Sequence, residues 1–138
     1  MKKIGLLFFV LTLISCHSNF SKEDFKKLNG YWEIETVTLE NGKKKDYKVN
    51  ETIDYFELKN NTGFRQKVMP QFDGTFKTNN IREDIKVVEK DKSFYIEYNT
   101  KYGKWKEEII AVEDSTLILK NKENIKYTYK KFKAFSFK

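Results

Sequence analysis

The sequence predicts an all-β domain: an antiparallel up-and-down β-barrel of 8–9 strands with a short N-terminal helix. Helical signals are confined to the residues just after position 20. Beyond Gly30, runs of β-branched and aromatic residues alternate with short polar turns, which is typical of hairpins. No helical crossover segment interrupts the runs, so consecutive strands should pair antiparallel. Eight or nine such strands close most naturally into a barrel.

Residues 1–15 have the form of an export signal. Two lysines precede an uncharged, mostly apolar run that ends at Ile14. The run is too short for a spanning helix, which needs roughly 20 apolar residues. Its end, Leu13-Ile14-Ser15-Cys16, resembles the lipobox of bacterial lipoproteins. We therefore expect a lipoprotein signal peptide cut before Cys16; the alternative is an ordinary signal peptide with a chance cysteine.

Cys16 is the only cysteine of the chain, and it stands where a lipobox requires the lipidated thiol. More than one acyl chain, such as palmitate, on this residue would anchor the protein stably to a membrane. Residues 16–24 are then the lipidated cysteine and a tether, and residues 25–138 are the barrel domain. The residue after the cysteine is His17 and not Asp. That resembles the sorting pattern of outer-membrane lipoproteins, so we expect a location in the Gram-negative cell envelope, facing the periplasm or the surface.

The formal net charge of +7 comes almost entirely from lysine, since Arg65 and Arg82 are the only arginines. The stretch Lys126–Lys133 interleaves basic and aromatic residues, as surfaces that bind single-stranded nucleic acid can. A β-strand with a lysine-rich outer face explains the same pattern. Nucleic acid is also a poor partner for an exported protein, so we expect none.

The helix is predicted from its caps. Ser21 to Asp24 offers a capping box ahead of Phe25, and Asn29-Gly30 should end the helix after about two turns.

Glycine and asparagine mark the turns between the strands. Asn41-Gly42 and Asp73-Gly74 supply the positive φ angles that tight hairpins need. Pro70 lacks a backbone N–H, so its strand should end or bulge there. Lys44–Val49 fits either a loop or a further short strand. The predicted strands are Tyr31–Glu40, Ile53–Lys59, Phe64–Met69, Thr75–Thr78, Glu83–Lys90, Ser93–Thr100, Lys104–Val112, Thr116–Lys120 and Ile125–Phe132.

Alternation along three of these strands predicts which side chains face the barrel interior, because successive residues of a strand point to opposite faces. The expected inward residues are Phe94, Ile96 and Tyr98; Trp105, Glu107, Ile109 and Ala111; and Ile125, Tyr127, Tyr129 and Lys131.

The short helix, Gly30-Tyr31-Trp32 at the start of the first strand, and the long β-meander resemble the lipocalin-like (calycin-type) lipoproteins of Gram-negative bacteria. Gly-x-Trp is the signature of that group. The resemblance implies that Gly30 lets the chain turn beneath the barrel floor and that Trp32 plugs this end. It also implies a basic residue over the indole, a place that Lys131 matches through a cation–π contact. The chain departs from larger lipocalins in having lysine there and in lacking their Thr-Asp-Tyr motif.

The chemistry of most enzymes is missing. After Phe20 the sequence contains neither histidine nor cysteine, which excludes Ser-His and Cys-His catalysis and the usual zinc sites. It also contains neither a glycine-rich phosphate loop nor a calcium loop. We expect no enzyme, no cofactor and no metal, although two carboxylates from different strands could still form a glycosidase pair.

Glu107 is the most unusual residue of the predicted interior, because a buried carboxylate is costly unless it is paired. It can be a polar group inside a cavity, near Tyr98, Tyr127 or Tyr129. It can also turn outward at a bulge, or pair structurally with Lys131.

The resemblance implies that a small, often apolar molecule binds inside the barrel. We expect an apolar or amphipathic ligand. The residues predicted to hold it are Phe94, Tyr98, Trp105, Glu107, Tyr127 and Tyr129. The alternative is an interaction module for an envelope protein, or an inhibitor, with a filled barrel core.

Overall fold

The computed structural model describes residues 21–134, and the predicted signal peptide and Cys16 lie outside them. A 3-10 helix, Lys22–Leu28, leads into nine strands. Within this range the helix is too short to cross a membrane. The strands are β1 (Gly30–Thr38), β2 (Lys44–Asp46), β3 (Ile53–Lys59), β4 (Thr62–Pro70), β5 (Phe76–Lys90), β6 (Ser93–Thr100), β7 (Gly103–Val112), β8 (Thr116–Lys120) and β9 (Lys126–Lys131).

The predicted fold class is confirmed: the strands form one antiparallel sheet that closes into a barrel. Strands β3 to β9 follow one another in sequence order, and β9 pairs with β1 to complete eight strands. The ninth strand, β2, is an addition that pairs only with Thr36–Thr38 of β1. The first three residues of β1, Gly30–Trp32, pair with β3 instead.

The prediction of two separate strands, Thr75–Thr78 and Glu83–Lys90, is wrong. Residues 76–78 and Glu83–Lys90 belong to one strand, β5, and the three residues 79–81 between them bulge opposite a single residue of β4. Asn80 has a φ of 58° there. Asparagine tolerates the left-handed region, so the same residues signal a turn or a bulge equally well in a sequence. Pro70 ends β4, as predicted.

The bulge lets the hairpin that joins β4 and β5 fold back over the outside of the barrel. Phe76 at the start of β5 stacks on Tyr31 of β1, with ring centroids 4.1 Å apart. Tyr31 also packs against Tyr55 at 4.7 Å, and it points outward because its neighbour Trp32 points inward. The hairpin therefore packs against the outer surface of the barrel.

A second bulge, near the end of β7, changes which residue faces the interior, so one predicted face is wrong. The register between β7 and β8 shifts between Ile109 and Ala111. As a result Val112, 3% exposed, faces the interior where Ala111 was expected. The described core is built from residues 25–129, so the domain holds its own hydrophobic core and can fold without residues 1–16.

Candidate functional site

One end of the barrel is closed by the helix. Trp32 is fully buried, and its Nε1–H donates a hydrogen bond to the Leu28 carbonyl at 2.8 Å. Lys131 Nζ lies 4.4 Å from the centre of the indole and donates to the Asn29 carbonyl at 2.6 Å. Gly30 has a φ of +119°, and a Cβ there would lie 2.8 Å from Lys131 Nζ. The structure therefore brings together the three residues that the resemblance assigned to barrel closure.

Burial of Lys131 under the helix lowers its pKa, and Asp114 partly opposes this effect. Phe94 belongs to the same end, where its ring meets the edge of Phe25 at 5.0 Å. Among the six residues predicted to hold a ligand, Phe94 therefore lies apart from the barrel opening.

The strands alternate in direction from β1, which begins at the helix, so the turn between β6 and β7 lies at the opposite end. We call that end the mouth. The interior on the mouth side holds a set of buried and half-buried polar side chains from six strands. We call this set the polar layer: Asp54, Arg65, Glu83, Tyr98, Glu107 and Tyr129.

Arg65 is the centre of the polar layer. Its Nε and Nη2 donate to the two carboxylate oxygens of Glu83, at 3.0 and 2.9 Å. Its Nη1 lies 3.3 Å from the Tyr98 hydroxyl and 3.6 Å from Glu107 Oε1. The two-pronged pairing with Glu83 is the strong geometry for an arginine and a carboxylate. Strand register produces it, because Arg65 of β4 sits directly opposite Glu83 of β5.

Glu107 faces the interior and is only 7% exposed. It pairs with Arg65 and not with Lys131. Its Oε1 accepts no hydrogen bond within the part of the chain that the structure describes. Burial raises the pKa of Glu107, while a hydrogen bond from Tyr98 and the charge of Arg65 act in the opposite direction.

Asp54 is also buried, at 3% exposure, and forms an ion pair with Lys67 Nζ at 2.6 Å. Burial is the main cause that raises the pKa of Tyr129, and the carboxylates of Asp54 and Glu107 add to it. Burial likewise raises the pKa of Tyr98. Both phenols therefore stay protonated at neutral pH and can act as hydrogen-bond donors or acceptors.

A depression of about 790 Å³ lies beside the polar layer at the mouth; we call it the mouth depression. Three large apolar side chains that are unusually exposed border it: Ile81 at 60%, Tyr102 at 83% and Trp105 at 41%. Glu83 of the polar layer also lines it. The indole of Trp105 stacks on the ring of Tyr98, with centroids 5.1 Å apart and planes 12° apart.

The remaining predicted residue, Tyr127, is partly buried, and its hydroxyl lies 3.4 Å from the amide of Asn121 in the turn after β8. A second depression, of about 740 Å³, lies at the closed end between the helix and the turn after β3, and Phe94 lines it. The structure thus groups Tyr98, Trp105, Glu107 and Tyr129 in the mouth half, with Tyr127 nearer its rim. Among the described residues, no group of three acidic or metal-ligating side chains is placed to hold a metal ion.

Sequence reasoning missed Arg65, Asp54 and Glu83. The sequence does indicate that Asp54 faces inward, because it alternates with Phe56 and Leu58 on one face of β3. Arg65 was harder to recognise, since a lone arginine in a strand is ordinarily on the outer face.

Comparison with known proteins agrees with this architecture. The profile of a family described as lipocalin-like domain matches residues 28–119. The chain belongs to this lipocalin-like family. Lipocalin family members are generally binding proteins and not enzymes. None of the curated proteins matches the chain significantly.

Two solved structures illustrate the likeness. A lipocalin-like protein from Bacteroides uniformis is 17% identical, with a TM-score of 0.48, over 77% of this chain and 99% of that one. Apocrustacyanin C1 is 9% identical, with a TM-score of 0.46, over 83% of this chain and 66% of that one.

Proposed function

We propose that this protein is a lipid-anchored lipocalin-like lipoprotein of the Gram-negative cell envelope that binds a small amphipathic ligand at the mouth of the barrel. The observation that carries the proposal is the mouth depression, where three exposed apolar side chains adjoin a buried set of charged ones. Exposed apolar groups gathered at one place mark binding sites, whereas scattered ones do not.

The size and the lining of the mouth depression suit such a ligand. Its volume of about 790 Å³ falls within the range of small-molecule pockets, about 300–1,000 Å³. An apolar chain or ring lying on Ile81, Tyr102 and Trp105 gains roughly 25 cal/mol for each Å² of apolar surface removed from water. The polar layer beside them supplies the few polar groups that orient a ligand.

The anchor is supported by the lipobox, and the position of the helix indicates which end of the barrel the anchor would hold. Ser21 leads directly into the helix at the closed end, five residues after Cys16. Five extended residues span at most about 18 Å. Lipid on Cys16 would hold the closed end near a membrane, so the mouth would open to the aqueous side.

The ligand site is tested by fluorescence titration of residues 17–138 with a decyl-chain amphiphile. Trp105 borders the depression and Trp32 is buried at the other end, so binding should shift the emission to the blue and protect one tryptophan from acrylamide. Ile81→Asp should weaken binding about tenfold or more, because it places a charge in the apolar wall. Leu39→Asp is the matched control, since Leu39 is exposed in the turn after β1 and borders a different depression. If both variants bind the amphiphile with the same affinity as the unsubstituted domain, the mouth depression is not the binding site.

The anchor is tested separately by the mass of the protein recovered from membranes of a Gram-negative host. We expect a chain that starts at Cys16 and carries acyl groups. Cys16→Ser should abolish the acylation and release the protein from the outer-membrane fraction. An unmodified Cys16 in the mature protein would contradict the proposed anchor.

A second function, an interaction module for an envelope protein, is favoured by the hairpin between β4 and β5. Phe72 is 77% exposed and Met69 is 42% exposed there. If this surface binds a partner, replacing both residues with serine should abolish partner capture and leave ligand binding at the mouth unchanged.

A further inference from the structure

We propose that the mouth site recognises a cationic head group, so that the ligand is an amphipathic amine whose ammonium group donates a hydrogen bond to Glu107. This inference rests on the function proposed above and specifies the ligand's chemistry.

The mouth half of the interior contains more acid than base. Three carboxylates, those of Asp54, Glu83 and Glu107, face two cations, Arg65 and Lys67. Inside the barrel one negative charge is therefore left in excess, and a cation bound at Glu107 would balance it. The lining of the mouth depression outside this interior adds Arg82, Lys101 and Asp84, so the excess is confined to the interior around Glu107. A buried charge without a balancing partner is unfavourable, which makes such a site selective for the missing charge.

The hydrogen bonds lead to the same conclusion. Two nitrogens of Arg65 are used by Glu83, and the third lies nearest to the Tyr98 hydroxyl. Lys67 is used by Asp54. What remains is an acceptor, because Glu107 Oε1 is buried and, beyond its ion pair with Arg65 Nη1 at 3.6 Å, accepts no hydrogen bond from the described residues. A ligand that donates can fill this place, whereas a ligand carboxylate would meet the carboxylates of Glu83 and Glu107.

The route to Glu107 passes Trp105. Trp105 precedes Glu107 by two residues on β7, so both side chains share the inward face, and Trp105 also borders the mouth depression. The indole is 41% exposed, which leaves it room to change rotamer and open the way to the carboxylate. An ammonium group placed there would also lie near the ring of Trp105, which attracts cations through its face. The Tyr98 ring already holds the Arg65 guanidinium in this way, 4.4 Å from its centre.

Three ligands that share a decyl chain test the inference by calorimetry at neutral pH with residues 17–138: decylamine, decanol and decanoate. We expect decylamine to bind at least tenfold more tightly than decanol, and decanoate to bind most weakly. Glu107→Gln keeps the shape of the side chain and removes its charge. It should therefore weaken the affinity for decylamine about tenfold and leave the affinity for decanol nearly unchanged. Glu97→Gln is the matched control, because Glu97 is exposed on the outer face of β6 and its loss should change no affinity.

The outcomes separate this inference from the proposed function. If all three ligands bind equally, or if Glu107→Gln leaves the preference for decylamine intact, the head-group inference is wrong and the mouth site stands. Equal binding is also what an ordered water on Glu107 Oε1 would produce. Tightest binding of decanoate would overturn the inference in favour of an anion site at Arg65 or Lys67. If no ligand binds and the Trp105 fluorescence does not change, the proposed function fails as well.

Discussion

The two halves of the barrel interior contrast in how their polar groups are satisfied. At the closed end the few polar groups in the interior have partners: the indole N–H of Trp32 donates to Leu28, and Lys131 donates to Asn29. In the mouth half, charged side chains are grouped together, and one carboxylate oxygen of Glu107 accepts no hydrogen bond from the described residues. Buried ion pairs are often no more stabilising than well-packed apolar residues, so stability alone does not account for the charges of the mouth half.

The largest contrast is expected between the two tryptophans. Trp32→Ala should lower the free energy of unfolding by about 3–5 kcal/mol, because it empties a fully buried, packed site. Trp105→Ala should lower it by only about 1 kcal/mol, because the indole already meets solvent. Urea unfolding followed by circular dichroism measures both. Equal losses would mean that the two halves do not differ in this way.

The next effect concerns Arg65. Arg65→Met should cost roughly 3 kcal/mol in urea unfolding, because it leaves the buried carboxylate of Glu107 and the half-buried carboxylate of Glu83 without their cation. Adding Glu83→Met should recover much of the loss, since it replaces the strongest pair with apolar side chains. If the double variant is no more stable than the single one, the pair is not the source of the cost.

The residues in these two experiments differ in how well the sequence predicts their positions. Trp32 and Gly30 were assigned through a local motif, and the strands after them through alternation and turn residues. Arg65 and Glu83 lie 18 positions apart and meet only because β4 and β5 adopt one particular register. The bulge at residues 79–81 sets that register, and the bulge next to Ile109 shifts the pairing of β7 with β8. Both look like ordinary strand or turn in the sequence. Contacts between side chains of paired strands, such as Arg65 and Glu83, therefore could not be predicted from the sequence.

A smaller effect is expected from Glu107→Gln as a function of pH. Burial raises the pKa of Glu107 above its ordinary value of 4.5, so the folded protein holds this proton more tightly than the unfolded chain does. The group therefore makes the unsubstituted protein less stable as the pH rises from about 4.5 through the raised pKa. Relative to it, the glutamine variant should gain stability over that window in urea unfolding. If the difference in stability between the two proteins stays constant with pH, the pKa of Glu107 is not raised in the folded protein.

The smallest effect belongs to the closed end. Lys131→Met should cost about 0.5–1 kcal/mol in urea unfolding, because it removes the cation over the Trp32 indole and leaves most of the packing in place. Thr128→Met on the same strand, on the outer face, is a control that should be nearly neutral. A loss several times larger would mean that Lys131, and not Trp32, holds the closed end together.

The central claim, that the ligand binds in the mouth half and not at the closed end, is tested most directly by the two indole N–H signals in a ¹H–¹⁵N NMR spectrum. During titration of residues 17–138 with decylamine, the account predicts that the Trp105 signal moves in proportion to occupancy. The Trp32 signal, whose N–H is held by the Leu28 carbonyl, should stay where it is. Movement of the Trp32 signal with a stationary Trp105 signal would contradict the account.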